Sequence, residues 1–345
     1  MGSVGIGGNH PVSIQSMTNT DTRDVAATLA QIRALATAGC DIVRVALPEA
    51  DAVAPFGRIV QESPLPVIAD VHFDAALALA AIESGAQGLR VNPGNIGDRR
   101  RLVPVIESAA ERQIPIRIGV NAGSLEKRFR DSRLPRHRAM AESLMEHVRF
   151  FEERDFSLIK ISLKSSRVRE TLEANRLAAE MCDYPIHLGV TEAGSGLEGE
   201  VKSAVGIGAL LLEGIGDTIR VSLTADPVRE IRVAKALLTA VGLRETGIDV
   251  ISCPTCARTS VDLISLVDEV KKRLEGMAVK RPLTVAVMGC EVNGPGEARE
   301  ADVGLAFSRS RGFLFRRGDI IARVGRDEAV DRLVLEVRRM ADAEN

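Results

Sequence analysis

Eight short apolar runs, each followed by an amphipathic stretch, dominate the first two thirds of this sequence. The runs are 12–17, 41–47, 66–73, 88–92, 115–122, 157–164, 185–192 and 218–223. Stretches such as 25–38, 75–84, 100–112, 138–154, 167–181, 200–212 and 227–241 separate or follow them with helical periodicity. Strand–helix alternation repeated eight times predicts an α/β fold, a (β/α)8 TIM barrel, over an open doubly wound sheet. No Gly-x-Gly-x-x-Gly follows the first run, so a dinucleotide-binding reading is not supported. Beyond Gly242 the pattern changes. A strand at 249–252, a helix at 261–274, strands at 284–288, 303–307 and 313–324, and a helix at 327–340 predict a small α+β domain. The domains are placed at 1–245 and 246–345, with the boundary near 243–247.

Composition excludes several function classes. The 345 residues are 45% hydrophobic and 27% charged, with a formal net charge of −2. Neither nucleic acid nor an anionic membrane is favoured by such a charge. The absence of Trp and a single Tyr leave little for stacking bases. No apolar run reaches membrane-span length, and no basic-then-apolar leader opens the sequence. Five cysteines without a disulfide-like framework suit a reducing, cytoplasmic setting.

Five of the predicted barrel strands carry one cation between apolar neighbours: Arg44, Arg90, Arg117, Lys160 and Arg220. Side chains alternate across a strand, so if the flanking Val, Ile and Leu face the helices, the cations point into the barrel. Buried charges need partners. Asp70 or Glu192 could pair with one, but five cations call for a polyanion, and a diphosphate-sized ligand suits arginine forks. Asn121 shares the face of Arg117, and Ser222 that of Arg220. Glu192, a carboxylate at the mouth, is the candidate acid/base, and Asp70 and His72 are candidates for positioning or proton shuttling.

The second domain carries Cys253 and Cys256 in Cys-Pro-Thr-Cys, then Cys290 and Glu297 in a Gly/Pro-rich stretch. Three thiols in this pattern suggest a metal centre. No histidine follows His187, which argues against the usual completion of a zinc site. A cubic iron–sulfur cluster with Glu297 as a weaker oxygen ligand fits better, although structural zinc stays open. Cys40 and Cys182 lie in apolar stretches and read as small core residues.

Several long motifs resemble the bacterial 4-hydroxy-3-methylbut-2-enyl diphosphate synthase family. They include Gln-Ser-Met-Thr-Asn-Thr (15–20), Arg-Val-Asn-Pro-Gly-Asn-Ile-Gly (90–97), His-Leu-Gly-Val-Thr-Glu-Ala-Gly (187–194), Cys-Pro-Thr-Cys (253–256) and Asn-Gly-Pro-Gly-Glu-Ala (293–298). The likeness covers nearly the whole chain and is to the shorter, two-domain type. It implies a 4Fe–4S cluster on Cys253, Cys256, Cys290 and Glu297. The implied substrate is 2-C-methyl-D-erythritol 2,4-cyclodiphosphate, opened reductively with loss of water in the non-mevalonate isoprenoid pathway. Flavodoxin or ferredoxin is the implied electron donor. Arg44, Arg90, Arg117, Lys160, Arg220, Asn121 and Ser222 would hold the diphosphate, and Glu192 would protonate the departing oxygen. A head-to-tail homodimer is implied too. The short segment at 243–247 favours it, because such a linker cannot easily carry a cluster domain back over its own barrel mouth. Two rival readings are a barrel transferase with a structural zinc module and a sirohaem-type reductase. The latter would require a second half-domain and a fourth cysteine beside the cluster.

Overall fold

In the computed structural model the structure describes residues 1–345 except 72–73, 93–98, 245–246, 291–295, 297, 309–310 and 343–345. It divides into two compact units, Met1–Arg244 and Glu245–Asn345.

The first unit is the expected barrel. Its strands are β1 (Ser13–Met17), β2 (Ile42–Ala46), β3 (Val67–Asp70), β4 (Gly88–Val91), β5 (Ile116–Asn121), β6 (Ile159–Lys164), β7 (His187–Leu188) and β8 (Thr218–Ile219). All pair in parallel in the order β6-β5-β4-β3-β2-β1-β8-β7. A parallel bridge from Ile161 to Ile186 joins the two ends of this order and closes the ring. Val43, Val45, Leu89, Ile116, Ile118 and Ile161 are fully buried against the helices. Those helices are α1 (Val25–Ala38), α2 (Val53–Glu62), α3 (Ala75–Glu83), α4 (Val103–Glu111), the short α5 (Lys127–Arg130), α6 (Arg136–Glu152), α7 (Val168–Met181), α8 (Gly196–Leu212) and α9 (Pro227–Ala240). Their boundaries follow local chemistry. Asp24 accepts from the Ala27 N–H to start α1, and Gly39 ends it with a left-handed φ of 100°. Asp226 caps α9, with Pro227 in its first turn.

The seventh and eighth strands are shorter than the apolar runs that announced them. Beyond Leu188 the chain leaves the sheet: the Thr191 N–H donates to the Ser165 carbonyl, and Glu192 turns to a left-handed φ of 53°. A residue in that conformation cannot continue a strand.

The second unit is a five-stranded sheet ordered β13-β12-β11-β10-β9, with β9 (Ile248–Ser252), β10 (Leu283–Met288), β11 (Val303–Phe307), β12 (Gly312–Arg316) and β13 (Asp319–Val324). The first three are parallel and the last two form a hairpin. Helices α10 (Leu263–Leu274) and α11 (Ala329–Asp342) cover one face, where Val270, Leu333 and Val337 meet Val285, Val287 and Leu305. One long strand was expected at 313–324. Arg317 and Gly318, both at positive φ (47° and 88°), fold it back on itself instead.

Candidate active site

The alternation of β2, β4, β5, β6 and β8 turns a file of cations inward. Arg44, Arg90, Arg117, Lys160 and Lys164 are all under 9% exposed. Two carboxylates lie among them. Asp70, at the end of β3, takes Arg90 Nη1 at 3.2 Å and Arg44 Nε at 3.6 Å. Glu230, in the first turn of α9, stands 3.9 Å from Arg220 Nε and accepts from the Leu223 N–H at 2.9 Å. The Met17 sulfur accepts from Arg44 and Arg220, a soft contact that leaves both charges in place. Arg117 Nη1 has no hydrogen-bond partner among the described residues. Burial, and then the fields of Arg44 and Arg90, push the Arg117 guanidinium well below its usual range. Burial likewise pulls Arg44 down to about 9, although Asp70 opposes the shift. A cavity so charged favours an anion.

Two adjoining cavities receive these groups. The smaller, about 80 Å³, is lined by Arg44, Arg90, Arg117, Arg220, Asn121 and Ser222, all named from the sequence. Lys164 and Ser162 also line it, and Lys160 does not. Lys160 lies on the same strand and parity, two inward positions before Lys164, and its buried Nζ has no hydrogen-bond partner among the described residues. Lys164 reaches the cavity because residue 189 is glycine. A Cβ there would lie 2.6 Å from Lys164 Nζ and 2.8 Å from the Arg220 carbonyl oxygen. The larger cavity, about 400 Å³, shares Asn121 and Thr191 with the smaller and adds Ser124, Arg136, Arg167 and Glu192. Glu192 is exposed there and makes no ion pair among the described residues. Its left-handed backbone is unusual for a glutamate and marks a constrained loop. Asp70 pairs with Arg44 and Arg90, while His72 lies outside the described residues.

Sequence reasoning missed Lys164 and Glu230. Lys164 carried the same signal as Lys160, a cation of inward parity on β6. Glu230 had only its place in the first turn after Asp226-Pro227. Also unforeseen is a network at the loops after β4 and β5. Arg99 bonds Glu126 at 3.4 Å and Glu146 at 3.0 Å, and Arg128 joins both glutamates. It fastens those loops to α6.

In the second unit, β9 and β10 are adjacent parallel strands, and the cysteines follow their carboxyl ends. Cys253 comes directly after β9 and accepts the Gly289 N–H at 3.3 Å, while Cys290 comes two residues after β10. Cys253 is half-buried, Cys290 buried and Cys256 exposed, and none is in a disulfide. The backbone N–H of Arg258 leads several contacts that lower the Cys256 thiol, favouring the thiolate a metal needs. Among the described residues no three His, Cys, Asp or Glu side chains gather closely enough to hold a metal ion, and Glu297 lies outside them. Topology thus delivers the thiols of Cys253 and Cys290 to one end of one sheet, with Cys256 in the same turn.

Residues 1–235 match the family described as GcpE TIM-barrel domain, and residues 249–339 match GcpE protein C-terminal domain. A 4-hydroxy-3-methylbut-2-en-1-yl diphosphate synthase (flavodoxin) from Geobacter sulfurreducens is 55% identical, over 99% of this chain and 96% of its own length. Synthases of the same name from Lawsonia intracellularis and Clostridium acetobutylicum are each 51% identical, over 99% of this chain and 95% and 97% of theirs.

Proposed function

The chain belongs to the GcpE family across both of its domains, and we propose that it acts as a flavodoxin-dependent 4-hydroxy-3-methylbut-2-en-1-yl diphosphate synthase. The substrate in this reading is 2-C-methyl-D-erythritol 2,4-cyclodiphosphate. The observation that carries it is the excess of buried cations over carboxylates around the small cavity, which demands a polyanion.

The reaction takes up two electrons, breaks the bond from a ring carbon to a phosphate oxygen, and releases a hydroxyl as water. Negative charge collects on the freed phosphate. Arg44, Arg90, Arg117 and Arg220 are fixed before it forms, so they stabilise it without reorganising. Lys164, Asn121 and Ser222 supply further donors. Glu192, at the wider cavity, protonates the departing hydroxyl. Asp70 and Glu230 hold the arginines in place, while Lys160 acts from behind the cavity wall.

A 4Fe–4S cluster held by Cys253, Cys256, Cys290 and Glu297 would supply electrons to the substrate, and the donor set fits it. Three cysteines outside any disulfide follow adjacent strands, with no histidine in the unit to complete a zinc site. Glu297→Cys is expected to keep four irons and lose turnover; normal activity would remove Glu297 from the ligand set. Anaerobic iron and sulfide analysis with a visible spectrum tests the cluster itself, and stoichiometric zinc in a colourless protein would overturn it.

A homodimer belongs to the same proposal, with cluster and barrel contributed by different chains. Its support is the seven residues between α9 and β9, a short tether. Mixing Cys290→Ser with Glu192→Gln chains is expected to restore up to roughly a quarter of wild-type activity under random exchange. No recovery despite heterodimer formation would mean that each chain works alone.

A further inference from the structure

Lys160 does not line the small cavity, yet it is one of the most awkwardly placed charges in the barrel. It is 2% exposed, and its Nζ has no hydrogen-bond partner among the described residues. Across the β5–β6 ladder it stands directly opposite Arg117, which is 3% exposed. Among the described residues, the carboxylates that serve the arginines pair away from Lys160: Asp70 with Arg44 and Arg90, and Glu230 with Arg220. The groups facing Lys160 are Arg117 from β5, Arg44 from β2, His187 from β7, Asp217 just before β8, and the amino group of Met1. Lys164 sits further along its own strand. Asp217 is the one carboxylate in this set, and it is occupied with the Ile186 N–H at 2.7 Å.

Such a cluster must shed charge when empty, and the chemistry decides where. Guanidinium does not give up its proton in a protein, whereas a buried ammonium does so readily. The lysines are therefore the members that yield. A diphosphate reverses the balance. Its charge lands on the arginines, and in a poorly screened interior that field reaches the next layer of side chains.

We propose that Lys160 is a proton-loading residue of the anion site: neutral in the empty barrel, it takes a proton from solvent when the cyclodiphosphate settles on the arginines, and so lends its charge only to the bound state. The inference rests on the substrate assigned above. In support, burial first, and then the fields of Arg117 and Arg44, bring the Lys160 ammonium down to about 7, with Asp217 pulling weakly upward. Because the bound state holds more protons than the free state, affinity falls as pH rises above 7 towards the bound-state value.

The cyclic ligand makes the proton count clean. Each of its phosphorus atoms carries two ester or anhydride links and one acidic oxygen, so the ligand itself does not titrate near neutrality. Calorimetry on the oxidised holoenzyme at pH 8, without reductant, is run in buffers of different ionisation enthalpy. Net proton uptake is expected for the wild type, with Lys164 as a second contributor, and about one proton fewer for Lys160→Met. That variant should bind several-fold more weakly near pH 7.5, and the difference should shrink towards pH 9.5. A merely structural role would weaken binding equally at every pH. Lys160→Arg, which keeps its charge, is expected to bind with the same missing proton, and it guards against a packing fault in the methionine variant. Unchanged proton uptake in both variants would overturn the proposal and give the proton to Lys164 or His187. Absence of uptake in the wild type would overturn it too. Failure of the wild type to bind the cyclodiphosphate at all would instead sink the proposed function.

Discussion

In the barrel, every cation lining the smaller cavity sits on or just past a strand whose neighbours fix its height. In the second unit, the thiols of Cys253, Cys256 and Cys290 sit one to four residues beyond the strands that carry them. The first arrangement is largely set by the protein itself, with Asp70, Glu230 and the Met17 sulfur holding Arg44, Arg90 and Arg220. The second brings thiols to one sheet end without closing them into a ligand set among the described residues. The difference teaches that charge and thiol sites need different kinds of preparation. An anion site gains from rigidity before the ligand arrives. A cluster draws its own ligands into place, and its binding energy contributes to local folding.

If that contrast holds, damage to one region should leave the other working. Cys290→Ser is expected to abolish the cluster and essentially all turnover while cyclodiphosphate binding persists; iron analysis beside calorimetry checks it. Loss of binding as well would mean that the cavity depends on the cluster. Glu192→Gln should lower kcat by roughly 100-fold or more with both cluster and binding kept, the loss typical of a general acid. An unchanged kcat in anaerobic assays would remove Glu192 from the proton step. Arg117→Gln should weaken cyclodiphosphate binding by about 2 kcal/mol at constant iron content, since its partly desolvated charge meets the anion directly. Binding as tight as wild type would break the claim that the barrel is an anion cradle. Gly189→Ala is the mildest, expected to weaken binding about tenfold or less by crowding Lys164 and the Arg220 carbonyl. Normal affinity there would mean that Lys164 is dispensable.

The same contrast explains what the sequence disclosed. Period-two alternation with a central cation marked five strands, because an isolated Arg between Ile or Val neighbours has one physical reading. It marked facing direction and not depth. Lys160 and Lys164 share a strand and a parity, and the register across β5, β6 and β7, together with the glycine at 189, decides that Lys164 reaches the cavity. Glu230 was hidden because it comes from a helix, where a carboxylate in the first turn usually serves the helix itself. The hairpin at Arg317-Gly318 had a signal in the Arg-Arg-Gly-Asp break (316–319) between two short apolar runs, and joining those runs into one strand overlooked it. The thiols were conspicuous as a motif, but in the proposed cluster their closing would be set by the ligand as much as by the chain.

Glu192 holds a left-handed backbone at the rim of the larger cavity. For an ordinary side chain that conformation costs about 1–2 kcal/mol, a strain that glycine avoids. Folding stability and the acid role proposed for Glu192 therefore pull this position in opposite directions. A library screened for thermal resistance should enrich glycine or asparagine at 192, and a library screened for isoprenoid supply should discard the same clones. Under the proposed acid role, the glutamate persists in a lineage only while the reaction is needed, so its decay would be an early sign that a descendant chain had left the pathway.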